Sequence, residues 1–142
     1  ASFGPGRFAR AASLLREGVA HDPALSFVAT AGLTLIGSVR LTPIFIGDRP
    51  AILLGPLAVV EGWKGRGAGK SLMRTSLAAA AEAGHSVVLL VGDEPYYGPF
   101  GFVRLEPYRI MLPAPVDPAR VLVCPLAEGS LDGLGGAARR AS

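Results

Sequence analysis

The run Leu57-Ala58-Val59-Val60-Glu61-Gly62-Trp63-Lys64-Gly65-Arg66-Gly67-Ala68-Gly69-Lys70-Ser71-Leu72-Met73 leads from an apolar segment through a glycine-rich turn into an amphipathic one. Upstream, residues 51–60 form the most apolar run of the chain and read as a buried central strand. Pro56 stands inside it. Proline has no amide hydrogen and cannot complete a central ladder, so it marks a bulge or a place where the pairing opens. Downstream, residues 70–83 read as a helix, with Leu72, Met73, Leu77 and Ala80 on one face and Gly84 as its stop. Residues 86–91 form a second buried strand. Strand, helix, strand predicts a right-handed βαβ unit.

The flanks add shorter elements. Residues 5–18 read as a helix, because Phe8, Ala12, Leu15 and Val19 recur at helical spacing. Residues 25–30 are strand-like, Ala31-Gly32 is a turn, and residues 33–46 make a long strand with Gly37 inside it. Gly47-Asp48-Arg49-Pro50 is a dense turn signal. After Gly92-Asp93-Glu94-Pro95 comes a short segment over 96–100. Residues 102–105 and 108–112 read as one bent strand, and residues 121–126 as the final one. The chain carries no internal repeat and no domain boundary, so residues 1–142 are expected to form a single domain.

A strand that enters a glycine-rich turn and then a helix is a phosphate site in physical terms. Glycine lets the backbone turn sharply and approach a ligand, while the first helical amides have no internal partner and the helix dipole favours an anion. Lys64, Arg66, Lys70 and Arg74 add cations nearby. Three motifs compete for the loop. The P-loop G-x-x-x-x-G-K-[ST] finds its end in Gly69-Lys70-Ser71 but has Lys64 where it needs the first glycine. The dinucleotide fingerprint G-x-G-x-x-G starts on Gly65 and Gly67 but meets Lys70 at its last position. The third pattern, Q/R-x-x-G-x-G/A after a Leu-x-Val triplet, is met by Lys64-Gly65-Arg66-Gly67-Ala68-Gly69 following Leu57-Ala58-Val59, with Lys64 in place of Gln or Arg.

Here the chain resembles the GNAT superfamily of N-acetyltransferases, in particular bacterial-type single-domain members. Residues 57–69 look like their coenzyme A motif. Tyr96-Tyr97-Gly98-Pro99-Phe100-Gly101-Phe102 is similar to their Tyr-x-x-x-Gly-Phe segment, in the family's order. The resemblance covers about residues 25–126. It implies an α/β (α+β) fold: a mixed, mostly antiparallel central sheet with helices on both faces, and the strands over 51–60 and 86–91 adjacent and parallel. The family opens with a further strand and helix that this sequence lacks, so the N-terminal strand is expected to be missing.

The resemblance also implies a function: acetyl-CoA-dependent transfer of an acetyl group to a primary amine. The cofactor is acetyl-CoA (coenzyme A), bound by Leu57, Ala58, Val59, Lys64, Gly65, Arg66, Gly67, Ala68, Gly69, Lys70 and Tyr97. The strand Leu57-Ala58-Val59 pairs with the pantetheine arm and splays from the strand over 86–91, leaving a cleft. The Leu57 amide is the candidate for polarising the thioester carbonyl; otherwise Pro56 is merely a bulge in an edge strand. Tyr97 aligns with the general acid. A phenol of ordinary pKa ~10 suits a proton donor to a thiolate, although an isolated Tyr is more often core.

Glu61 follows the cofactor strand and is the candidate base, directly or through a water; Asp93 and Glu94 are alternatives, and each also reads as a solvated carboxylate. His21 and His85 are weaker, since a cation just past a helix C-terminus needs no function to explain it. Tyr96 reads as packing, Trp63 as packing beneath the loop, and Cys124 as a buried small hydrophobe. Regions near residues 5–23 and 113–120 would line the acceptor pocket.

Composition narrows the classes. Half of the 142 residues are hydrophobic and 18% are charged, a globular balance. The net charge of +3 suits an anionic small ligand. The basic residues form no single run, Arg139 and Arg140 fall in an expected mobile tail, and no nucleic-acid signature is present. One cysteine excludes a disulfide framework and a cysteine-based zinc site, so no metal is expected. No apolar run reaches the ~18 residues of a membrane span. The expectation is a soluble cytoplasmic protein, monomer or homodimer, that engages a small-molecule or protein amine and neither nucleic acid nor membrane. A non-catalytic acyl-CoA sensor or scaffold, and a nucleotide-binding protein with a degenerate P-loop, are the alternatives.

Overall fold

The computed structural model describes residues 26–63 and 67–141, together with Leu15. The expectations for the helix over 5–18, for His21, for Lys64, Gly65 and Arg66, and for the side chain of Trp63 lie outside the described residues. The described elements are β1 (Phe27–Ala31), β2 (Thr34–Ile46), β3 (Arg49–Val59), α1 (Ala68–Glu82), β4 (Val87–Val91), α2 (Glu94–Tyr97), β5 (Val103–Arg104), β6 (Ile110–Met111), β7 (Val121–Pro125) and β8 (Gly136–Arg140). They build one mixed sheet of order β5-β7-β4-β3-β2-β8-β6, with β1 also on β2. Among the described strands only β3–β4 and β6–β8 are parallel. The mixed, mostly antiparallel sheet expected from the sequence is therefore present, and the predicted parallel neighbours are β3 and β4.

The sheet buries both faces, which is why β3 and β4 read as continuous apolar runs and not as alternation. On one face Ile52, Leu54, Val88 and Leu90 pack with Leu72, Met73 and Ala80 of α1. On the other, Ala51, Leu53, Val87 and Leu89 pack with Ile44, Ile110, Val123, Leu134 and Leu15. Among the described residues no helix is long and apolar enough to cross a membrane.

Three expectations are corrected. The strand β7 is not the last: β8 follows it, and Arg139 and Arg140 lie in β8 against Phe45 and Ile44, not in a loose tail. The Arg139 guanidinium stacks over the Phe45 ring at 4.8 Å, a cation–π contact that holds this basic edge. Second, residues 102–112 do not make one bent strand. Tyr108 adopts φ 63, a conformation that breaks an extended run. The two pieces then pair with different partners, β5 with β7 and β6 with β8. Third, Leu33 does not begin β2 but sits fully exposed in the turn with Gly32.

Candidate functional site

Pro56 decides the geometry. Gly55 and Pro56 together oppose the single residue Arg40, because Leu41 pairs with Leu54 while Val39 pairs with Leu57. This is a β-bulge, which bends a strand and sharpens its twist. On the other edge of β3 the parallel ladder with β4 contains Ile52–Val88 and Leu53–Leu89 and goes no further. The strands part at the bulge. Because β3 lies between β2 and β4, the bulge sits in an interior strand and not at a sheet edge.

Beyond the bulge β3 continues its ladder with β2. Val60 donates its amide to the Ile36 carbonyl at 2.8 Å. In an antiparallel ladder bonded and non-bonded pairs alternate, so Ala58–Ser38 is the next bonded pair and Leu57–Val39 a non-bonded one. The amide and carbonyl of Leu57 therefore point to the side that β4 has left. The Leu57 side chain, 3% exposed, is core; its backbone is what the gap receives. Ala58 is half-buried and Val59 buried.

The helix after the glycine turn begins at the same end of β3. Its N-cap is Gly67, at φ 88 and ψ −2, with no side-chain cap and no acidic residue in the first turn. That left-handed conformation suits glycine. The Gly67 carbonyl accepts the first helical bond, from the Ser71 amide at 2.9 Å. The first-turn amides of Ala68, Gly69 and Lys70 thus have no partner within the helix. With Lys70 exposed beside them, the helix end presents donors and positive charge to an anion. Gly69 itself is buried: a Cβ there would stand 2.9 Å from the Tyr96 hydroxyl oxygen and 3.6 Å from a Val59 methyl. The end of β3, the first turn of α1 and Tyr96 therefore meet at one point.

Tyr96 and Tyr97 close the other side. Their rings stack edge to face at 4.8 Å, and Tyr97 also meets Phe102 at 6.1 Å. Asp93 and Glu94, read from sequence as alternative bases, are each tied down: Asp93 pairs with Arg120, and Glu94 with Arg104 at 3.0 Å. These pairs pin the start of α2 to β5 and to the residue before β7. Tyr97 is 3% exposed and belongs to the core under α1. Burial, with a smaller effect from Tyr96, pushes its phenol well above the ordinary value. It holds its proton at neutral pH more firmly than a solvated phenol of pKa 10.0 would. Burial pushes the Tyr96 phenol up as well.

Glu61 opens the 3-10 turn Glu61–Trp63 directly after β3 and is exposed. His85 caps the far end of α1, its amide bonded to the Ala80 carbonyl at 3.1 Å, remote from the gap. Cys124 is buried in β7. The residue that sequence reasoning undervalued is Tyr96. The signal for it lies in Gly69, a buried glycine in the first turn of α1, but its partner is distant in sequence.

Comparison with known proteins identifies the family. The family model described as Acetyltransferase (GNAT) family matches residues 3–102, more than half of the chain. An uncharacterized N-acetyltransferase of Escherichia coli strain K12, YhbS, is 29% identical over 104 residues, which cover 72% of this chain and 62% of that protein. The matched region therefore spans less than two thirds of that relative's length. The crystal structure of Escherichia coli YhbS in complex with CoA superposes with a TM-score of 0.74 at 24% identity, covering 99% of this chain and 87% of that one, and shares the fold. A GNAT family acetyltransferase from Brucella melitensis, solved in complex with acetyl-CoA, is 27% identical with a TM-score of 0.53, over 72% of this chain and 80% of that one.

Proposed function

The chain belongs to the GNAT acetyltransferase family, and from that premise we propose that it is an acetyl-CoA-dependent N-acetyltransferase that passes an acetyl group directly to the amine of an acceptor. The observation that carries this reading is the parting of β3 and β4 beyond Leu53–Leu89, beside a helix N-terminus with no capping side chain. A gap with a strand edge on one side and an anion site at its end matches the two chemical features of coenzyme A, an amide-bearing arm and a pyrophosphate. Two relatives' structures, solved with CoA and with acetyl-CoA, support the same assignment.

Each residue then has a role. Gly67, Ala68, Gly69 and Lys70, with Lys64, Gly65 and Arg66 before them, hold the pyrophosphate. Leu57, Ala58 and Val59 bind the arm along the β3 edge, and the Leu57 amide faces the thioester oxygen. In the overall transfer an N–C bond forms, the C–S bond breaks, the amine loses a proton and the sulfur gains one. Tyr97 supplies the proton to the sulfur. Glu61, at the exit of β3, accepts the amine's proton directly or through water.

Thermal shift with acetyl-CoA and with ATP tests the reading. A ligand at a hundredfold excess over Kd stabilises the folded state by about 2.7 kcal/mol. Acetyl-CoA is expected to raise Tm and to release free thiol when amines are added. A Tm raised by ATP and unmoved by acetyl-CoA would overturn the assignment.

A further inference from the structure

A cavity of about 420 Å³ lies on the sheet face opposite α1, inside the usual range for small-molecule sites of roughly 300–1,000 Å³. Its wall is the segment that joins β6 to β7. Three of its lining residues, Pro113, Pro115 and Pro118, are prolines, which fix the backbone dihedral and leave the wall preformed. The cavity reaches the residue paired with the end of β4. Val121, at its edge, pairs with Val91 at the end of β4. Next to it the Gly92 amide donates to the Arg120 carbonyl at 2.9 Å. Ile110, another lining residue, packs in the same cluster as Leu53 and Leu89, the last residues before β3 and β4 part. Tyr96 packs on the α1 face of the sheet, and the cavity lies on the other.

The described residues that line it are apolar apart from Tyr108, which adds a phenol, and Glu106, the only charged one among them. We propose that this cavity binds a primary amine with an apolar chain or ring, its ammonium on the Glu106 carboxylate and its body against the proline-rich wall; the inference rests on the transfer reading above and names the acceptor class of that site. The chemistry discriminates. An acidic acceptor is repelled by Glu106. A neutral alcohol leaves the carboxylate without its ion pair. A diamine places a second ammonium against apolar walls, and burying an unpaired charge is costly.

Calorimetric titration of the full chain tests this with hexylamine as the probe, against hexan-1-ol and 1,6-diaminohexane. Hexylamine is expected to bind more tightly than either. Glu106→Gln, at an exposed position, should weaken hexylamine about twofold to fivefold, in keeping with the worth of a solvent-exposed ion pair, and leave hexan-1-ol unchanged. Ala114→Trp should fill the cavity and abolish hexylamine binding. Equal binding of the amine and the diamine, or an unaltered Glu106→Gln, would overturn the proposal. A parallel acetyl-CoA titration separates the two claims. Acetyl-CoA binding without a hexylamine preference removes the cavity proposal and spares the transfer reading. The predicted hexylamine pattern without acetyl-CoA binding supports the amine pocket and removes the transfer reading.

Discussion

The ring of Tyr97 lies on the backbone of Gly92 so closely that a Cβ at Gly92 would stand 2.5 Å from the Tyr97 Cε2 atom. Gly92 is the first residue past β4, and Tyr97 ends α2. The contact seats the proposed acid against the strand that has just left β3. Gly92→Ala must push the ring away, and overpacking a buried contact costs about 1–3 kcal/mol. Denaturant unfolding should give a loss in that range, together with a fall in kcat. A variant with unchanged stability and rate would show that the ring's position is not held from this side.

Tyr97→Phe removes the hydroxyl and leaves the packing. General acid–base groups contribute ~10²–10⁴ in rate. Burial makes Tyr97 a weaker acid than a free phenol, and a thiolate is a good leaving group that water can also protonate. The expected fall in kcat is therefore near the lower end, about 10², with the KM for acetyl-CoA changed little because the lost interaction belongs to the transition state. Steady-state kinetics on a folded mutant checks this, and full kcat would remove Tyr97 from the chemistry.

The same burial gives a pH dependence. Tyr97, Tyr96 and Cys124 all have pKa values raised above their ordinary ones. In the unfolded chain these groups ionise first, so above their ordinary values the folded state holds more protons. Stability then falls as pH rises, by up to about 1.4 kcal/mol per pH unit for each group titrated only in the unfolded state. Below pH about 8 these groups add no slope. Urea unfolding from pH 7 to 11 should show the decline beginning near pH 9–10, with a shallower slope in Tyr97→Phe. An equal slope in that mutant would contradict the burial of its hydroxyl.

Gly69 tests the meeting of helix and tyrosine. Gly69 is the second residue of α1, where alanine is favoured over glycine by less than the about 0.8–1.0 kcal/mol of a helix interior, and in this chain its methyl group would meet the Tyr96 hydroxyl. Gly69→Ala is expected to stabilise the protein in a Tyr96→Phe background and to fail to do so in the wild type. A double-mutant cycle measures the difference. Purely additive effects would mean that the two residues do not constrain each other.

The sequence carried the central strand–turn–helix–strand unit because every signal in it is local: the apolar run over 51–54, the punctuation by Gly67 and Gly84, and the helical spacing of Leu72, Met73 and Ala80. Pro56 also announced the bulge, since a missing amide hydrogen is visible in the residue type itself. The strand β8 was not legible. Gly136-Ala137-Ala138-Arg139-Arg140 has neither alternation nor β-branched residues, and it is extended because the open edge of β2 at Ile44–Ile46 takes it up. The loop before it is tied down from afar. Arg49 donates to the carbonyls of Ser130 and Asp132, and Arg109 to those of Leu131 and Leu134.

In the candidate site, the Tyr-Tyr doublet stood out as a motif, but nothing local distinguishes Tyr96, which reaches Gly69, from Tyr97, which rests on Gly92. That division follows from where α2 docks, with Tyr97 in the core and its first turn paired to Arg104 and Arg120, residues that the sequence separates from α2.

The central claim is that acetyl-CoA lies along the β3 edge with its pyrophosphate at the start of α1. Amide-resolved NMR titration with acetyl-CoA tests it most directly. The account predicts the largest shifts at the amides of Leu57, Ala68, Gly69 and Lys70, saturating together, with no matching response to ATP. Largest shifts on another surface, such as β6 and β8, or silence at Leu57 and Gly69 under saturating acetyl-CoA, would contradict it.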